Sequence, residues 1–517
     1  MTTKAMSRRR MLKAGSALGL SVAGAASLAA CGETKVVTVE KVVEKEVPVE
    51  KIVEKEVPVE KIVEKIVEKE VAVIQQAAPT RVTAVIRFAH DHTSGLRGKH
   101  MSWSLEKFAE ARPDIAVKFE PQNNMFQDSF GIQLAGGTQA ELALLDGGFF
   151  HQWADKGAFV QINDTLRKAE GYDAKNHCMW PDQCTINFQN TSPMPFNEGL
   201  AGPQFGMPYQ AGLNGMYYNF TLFEEAGVPQ PTAGKWGIET DFLDAMKKLT
   251  DADKGQYGFR SSSAMWAFWA GWMRALSTTG TNTYYNADAT KMTIFDDGGH
   301  KGHDFVVNAI WKDKISNKLE DSKMLSGEFR DPFSAGKVAV ANGGSAGNYV
   351  VRIAGRFDWG FGLQPEGPRG ESPIHTSEQP HLITNAAEGN GTVEQAVDML
   401  VFFAGPVVQD RAAIDRGFIP VHKDVLNSPT MDAAPPQGHS HLATILTTKD
   451  DHSHWQSAHP SWWEWFDGWR KGTDKSFLGE VTPEEGRKAL TAASDRILDS
   501  QHDQWVKYKD WASGLSS

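Results

Sequence analysis

Residues 81–121 read "RVTAVIRFAHDHTSGLRGKHMSWSLEKFAEARPDIAVKFEP". The first ten alternate apolar and polar like a half-buried strand. "WSLEKFAEARPD" (103–114) follows as an amphipathic helix, stopped by Pro113. "IAVKFEP" (115–121) reads as the next strand, and "ELALLDGG" (141–148) as a short apolar strand closing in Asp-Gly-Gly. Strand, helix, strand in this order predicts α/β architecture with parallel strands. Ligands in such sheets sit at the carboxyl ends of strands. Asp91, His92 and Asp146, each just past a strand, are therefore candidate ligand-binding residues.

The chain around this stretch has 517 residues, 41% hydrophobic and 23% charged, ordinary values for a globular protein. About 440 residues remain once leader and linker are set aside, enough for two or three compact units. The formal net charge is −11. Residues 1–30 carry Lys4, Arg8, Arg9, Arg10 and Lys13 and no acid, so the rest is more acidic still. That balance argues against nucleic acid or an anionic lipid surface as a partner.

"SRRRMLK" (7–13) precedes the uncharged run Ala14–Ala30, the layout of an export signal. Its paired arginines resemble a twin-arginine signal, with Met11 where that pattern has Phe. An ordinary secretory signal is the plainer alternative. "LAAC" (28–31) resembles a bacterial lipobox, which implies lipidation of Cys31 and an anchor on the membrane. The two other cysteines, Cys178 and Cys184 in "CMWPDQC", suggest a local disulfide in an exported chain, with ligation of a metal by two thiols as the weaker option.

From Val43 the chain repeats every ten residues, as in "VEKEVPVEKI". Ten does not fit a heptad, Pro48 and Pro58 interrupt a helix, and interleaved Glu and Lys cannot bury a core. Residues 31–78 are thus expected to be a lipidated cysteine plus tether, reaching on the order of 150 Å when stretched. A short self-associating helix is the other reading.

Residues 205–250, "FGMPYQAGLNGMYYNFTLFEEAGVPQPTAGKWGIETDFLDAMKKLT", carry a Gly-x-Pro-Tyr crossover, a Tyr-Tyr-Asn strand, a helix ending in Ala-Gly, a proline-bearing turn and a Trp. Three stretches follow in order: "FSAGKVAVANGGSAG" (333–347), "AVDMLVFFAGPVVQDRAAIDRGFIPVHKDV" (396–425) and "VTPEEGRKALTAASDRIL" (481–498). Together they resemble the bacterial extracellular solute-binding proteins of the sugar-binding type, from residue 80 almost to the end. The resemblance implies a bilobal periplasmic-binding-protein fold of type II, two discontinuous α/β lobes joined by a hinge. Lobe 1 is expected at about 79–205 and 372–425, and lobe 2 at about 206–371 and 426–517. It further implies capture of a carbohydrate without chemical change, delivery to the membrane subunits of an ABC importer, a monomer, no cofactor and no resident metal. The place implied is the outer face of the cytoplasmic membrane, or the periplasmic side.

A sugar offers hydroxyl edges and apolar C–H faces. Hydroxyls need polar partners, since an unpaired buried polar group costs about 1–3 kcal/mol, and the faces suit flat rings. The resemblance points to Asp91 as hydroxyl acceptor, Tyr209 at the crossover, and Trp266 at the start of "SSSAMWAFWAGWMRAL" (261–276). Ser345 stands in a Gly-rich turn that holds a tryptophan in maltose-type relatives, a departure that counts against simple transfer of a maltose site. "HPSWWEWFDGWR" (459–470) lies where those relatives place aromatic rings on the sugar. Of its rings, Trp462, Trp463 and Trp465 are candidates for stacking, against packing wholly in the core, while Trp469 is expected in the core.

Two rivals are open. His439, His441, His452 and His454, with His459 nearby, could ligate zinc and make a metal receptor, although the surrounding residues lack strand or helix signals and suggest a solvated loop. Asp91 and Asp146 could serve as paired carboxylates of a cell-surface glycoside-processing enzyme, although nothing marks them as paired.

Overall fold

The computed structural model describes residues 81–515, apart from 124–126, 146, 178–201, 214, 232–235, 262–268, 281, 319–330, 344–351, 354, 363, 372–373, 417, 434–451 and 455–458. The described residues fall within one compact unit, Gln76–Ser517.

β1 (Ala84–His90) turns Ile86 and Phe88 into the interior, both fully buried, as the alternation predicts. It pairs in parallel with β2 (Ile115–Pro121) along its whole length and with β3 (Leu142–Leu144) on its other side. β3 runs antiparallel to β9 (Ile374–Ile383), and β9 also takes β4 (Gly206–Leu213), antiparallel, and β10 (His452–His454), parallel. The six-stranded sheet thus draws on residues almost 370 positions apart in the chain.

The second sheet has the order β6-β7-β5-β8. Its strands are β5 (Gly215–Asn219), β6 (Tyr257–Arg260), β7 (Val338–Gly343) and β8 (Trp359–Gly362). β5 is buried on both faces. Its neighbouring tyrosines accordingly serve two cores: Tyr217 packs with Phe333 and Phe361, Tyr218 with Phe223 and Trp236.

The helices of eight or more residues among the described residues are α1 (Gly95–Ala111), α2 (Gln127–Gly136), α3 (Gly147–Ala154), α4 (Trp269–Leu276), α5 (His300–Trp311), α6 (Val393–Ala404), α7 (Pro406–Asp415), α8 (Trp462–Phe477), α9 (Pro483–Ser500) and α10 (His502–Ser513). α1 ends one residue before Arg112-Pro113, as expected. The Arg112 guanidinium then pairs with Asp114 and with Asp398 of α6, tying the end of α1 to its neighbour. α5 lies close on α4 because Gly302 has no Cβ to collide with the Trp272 main chain. Trp272, buried on α4, stacks on Phe305 of α5 at 5.3 Å and donates its indole N–H to Asn342 at 3.1 Å. α9 opens with the "TPEE" motif as a capping box: Thr482 Oγ accepts from the Glu485 amide, and the Glu485 carboxylate accepts from the Thr482 amide at 2.9 Å.

Sheet membership departs from the expected lobe borders in three places. Gly206–Leu213, expected to open lobe 2, is β4 of the first sheet, so the chain passes to the second sheet after Leu213. His452–His454, expected in a solvated loop of lobe 2, is β10 of the first sheet. α10 also leans toward the first sheet's helices: Tyr508 hydroxyl lies 2.7 Å from His151 Nδ1 on α3, and Trp511 meets Phe205. Main-chain pairing decides the two strands and side-chain packing decides α10, and neither leaves a motif in the segment itself.

Candidate functional site

β1 stops at His90, and Asp91 turns in a bend before α1. His90 and His92, two apart, stay on one side, as strand periodicity requires, while the bend brings the Asp91 carboxylate back toward both. Asp91 Oδ1 lies 3.7 Å from His90 Nδ1 and 3.9 Å from His92 Nε2.

The hydrogen bonds assign the imidazole tautomers. The His92 amide donates to His90 Nδ1 at 3.0 Å, so the His90 proton sits on Nε2. That N–H faces His381 Nε2 at 3.1 Å, which must accept and carries its own proton on Nδ1. Tyr209 of β4 stacks on the His381 ring at 4.1 Å and 21°, with Phe418 behind it at 4.7 Å. Tyr209 is fully buried. Burial pushes its phenol pKa up.

Burial also holds the histidines neutral. His90 and His92 fall well below the ordinary imidazole value, chiefly through burial, with the Arg97 charge adding to the shift. His381 falls to about 3 by burial alone. His100 of α1 falls to about 4, because desolvation outweighs the pull of Asp415, 3.5 Å away. The end of β1 is therefore a buried, neutral imidazole cluster beside one partly exposed carboxylate.

The aromatic run sorts by helical phase. Trp462 and Trp465, three apart on α8, are 0% and 1% exposed, and both pack edge-on against Tyr284. The expectation that either stacks on a ligand gives way to a place in the core: Trp465 also meets Tyr285, and Trp462 stacks on Phe466 one turn along the same helix. Trp463, one residue round the helix, is half-buried and stacks on Phe149 of α3 at 4.7 Å and 21°. Of the three it alone keeps a partly accessible indole, and its stacking ties α8 to α3, the helix that follows β3.

Asp146, Trp266, Ser345, Cys31, Cys178, Cys184, His439 and His441 lie outside the described residues, as do the side chains of Trp469, His452 and His454. Sequence reading missed His381, His100, Phe418 and Phe149. His381 sits 291 positions from His90, and only strand pairing brings the two together. Among the described residues no helix is long and apolar enough to cross a membrane.

The sequence profile of the bacterial extracellular solute-binding proteins matches residues 102–410. A binding protein of Brucella abortus (strain 2308) is 22% identical over 426 residues, spanning 80% of this chain and 93% of the relative. Among solved structures, the ABC substrate-binding protein of Listeria monocytogenes in complex with cycloalternan superimposes with a TM-score of 0.66 at 21% identity, over 81% of this chain and 99% of its own. A maltose-bound T. maritima protein gives 0.62 at 16% identity, over 80% and 100%. A Mycobacterium tuberculosis protein in complex with glycerophosphocholine gives 0.64 at 16%, over 81% and 99%. With its fold bilobal, mixed α/β and built on two sheets, this chain belongs to the family of bacterial extracellular solute-binding proteins.

Proposed function

We propose that the protein is the lipid-anchored solute-binding component of an ABC importer. It captures a sugar, from monosaccharide to oligosaccharide or a related polyol, between its lobes and releases it unchanged. Cys31 carries the lipid, residues 32–78 form the tether, and the domain works as a monomer with the importer's membrane subunits as partners. Asp91 accepts from solute hydroxyls, and Trp463 supplies a stacking face. Asp146, Trp266 and Ser345 complete the contact set, and Cys178 pairs with Cys184.

The observation that carries the reading is Trp463. It is a half-buried indole stacked on Phe149 of α3, in a helix whose Trp462 and Trp465 are spent in the core. Such a ring has area to offer a sugar face without unfolding anything. The carbohydrate ligands of the similar Listeria and Thermotoga structures support the solute class.

A thermal-shift screen of the full chain against a sugar and polyol library tests this. A ligand at 100 times its Kd stabilises by about 2.7 kcal/mol. At least one carbohydrate is expected to raise Tm, and Trp463→Ala to abolish the shift. Shifts from amino acids or oligopeptides alone, with none from any sugar, overturn the reading.

A further inference from the structure

The carboxyl end of β1 gathers three potential metal ligands from consecutive residues. The His90, Asp91 and His92 donor atoms all lie within 4.8 Å of one another. We propose that these three residues form a mononuclear site for a borderline divalent cation of the zinc, cobalt and nickel class, at the carboxyl end of β1. The inference goes beyond solute capture and does not depend on it.

The geometry is close to what such an ion requires. Donor atoms about 2.1 Å from a tetrahedral zinc stand about 3.4 Å apart. The Asp91 oxygen is 3.7 Å from one imidazole nitrogen and 3.9 Å from the other. The three donor atoms lie within 4.8 Å of one another, so closing on an ion draws the widest pair in by up to about 1.4 Å, shared between two side chains.

A second observation points to a ligand independently of these distances. His92 is 4% exposed, yet neither of its ring nitrogens makes a hydrogen bond. A buried imidazole with both nitrogens unused is uncommon, because the desolvation of each goes uncompensated. The Tyr209 hydroxyl, whose ring lies 5.8 Å from that of His92, is likewise buried without a hydrogen bond. It is placed to serve a water or solute oxygen held by the ion.

The surroundings fit a ligated metal. His90 directs its Nε2–H onto His381, the kind of outer contact that orients a ligating imidazole. Two opposing terms set the affinity. His90 Nδ1 now accepts the His92 amide and must release it, and exposed Arg97 places a positive charge nearby. Two nitrogens and one oxygen select zinc, cobalt or nickel over magnesium and calcium, which prefer all-oxygen sites.

The test uses the full chain after treatment with a chelator. Zinc is titrated calorimetrically, and cobalt by its visible absorption. One ion per chain is expected, with the absorption of a nitrogen-ligated cobalt and no response to magnesium. His92→Ala and Asp91→Asn should each weaken zinc binding at least tenfold, while the double variant His452→Ala/His454→Ala leaves it unchanged. Asp91→Asn preserves side-chain volume, so it remains informative if His92→Ala fails to fold. No zinc binding by the intact chain, or binding that survives both site variants or is lost in the His452/His454 variant, overturns the proposal. The sugar screen is run on the same chelated protein, so failure of either reading leaves the other measurable.

Discussion

The end of β1 and the start of α8 each concentrate one kind of side chain, and the fold treats the two in opposite ways. At α8 most of the ring area is spent on packing: Trp462 and Trp465 close against Tyr284, and only Trp463 keeps a partly open indole. At β1 the side chains are polar, yet the fold buries His90, His92 and His381 as well. Burial of an indole lowers the free energy by removing apolar area from water. Burial of imidazole raises it unless each nitrogen finds a partner, and His92 finds none. A dense cluster of one residue type therefore says little about function until its cost is known. The aromatic cluster stabilises its own burial, whereas the imidazole cluster has a cost that a ligand would offset.

The sharpest way to break this contrast is Trp465→Ala. A fully buried indole removed from the core should destabilise the domain by about 3–5 kcal/mol, read as a fall in the urea midpoint with the slope unchanged. A loss below about 1 kcal/mol would mean that the α8 rings are not core.

Acid tests the polar side. In the unfolded chain a histidine takes up a proton below its ordinary value of 6.5, whereas native His381 does so only at about 3 and native His100 at about 4. Stability from these groups is thus complete above pH 6.5 and drains away as pH falls toward 4. Unfolding free energies from urea titrations should fall by several kcal/mol in sum between pH 7.5 and 4.5. A flat profile would show that the imidazoles are hydrated.

Trp463→Ala separates the third tryptophan from its neighbours. It should cost less stability than Trp465→Ala, about 1–2 kcal/mol, since its ring is only half-buried, but weaken carbohydrate binding tenfold or more. Equal stability losses for the two variants would erase the distinction drawn between them. The smallest effect is expected at Thr482→Ala, which removes the capping box of α9 beside α8 and should cost about 1 kcal/mol without touching solute affinity.

Much of the fold was legible because its signals are local. β1, α1 and β2 follow from the alternation in 84–90, the stop at Arg112-Pro113 and the apolar run from Ile115. The closing helix was marked by the stretch 481–498, and the structure adds the capping box at Thr482. Ordered motifs indicated the family, and the profile match bears that out. The site was less legible. Asp91 and His92 were identified as a strand end, but His381 and Phe418 arrive by pairing and packing across the chain.

From its sequence alone, this protein is an α/β chain of the solute-binding family, with an acidic balance and a strand ending in His-Asp-His. Periodicity, proline, glycine and capping act within a few residues, so they can be read without coordinates. Tertiary structure decided the rest: that β4 and β10 join the first sheet, that Trp462 and Trp465 turn inward while Trp463 does not, and that His90 meets His381. Those outcomes depend on which distant surface each segment meets, and the burial of a side chain is a property of both surfaces together.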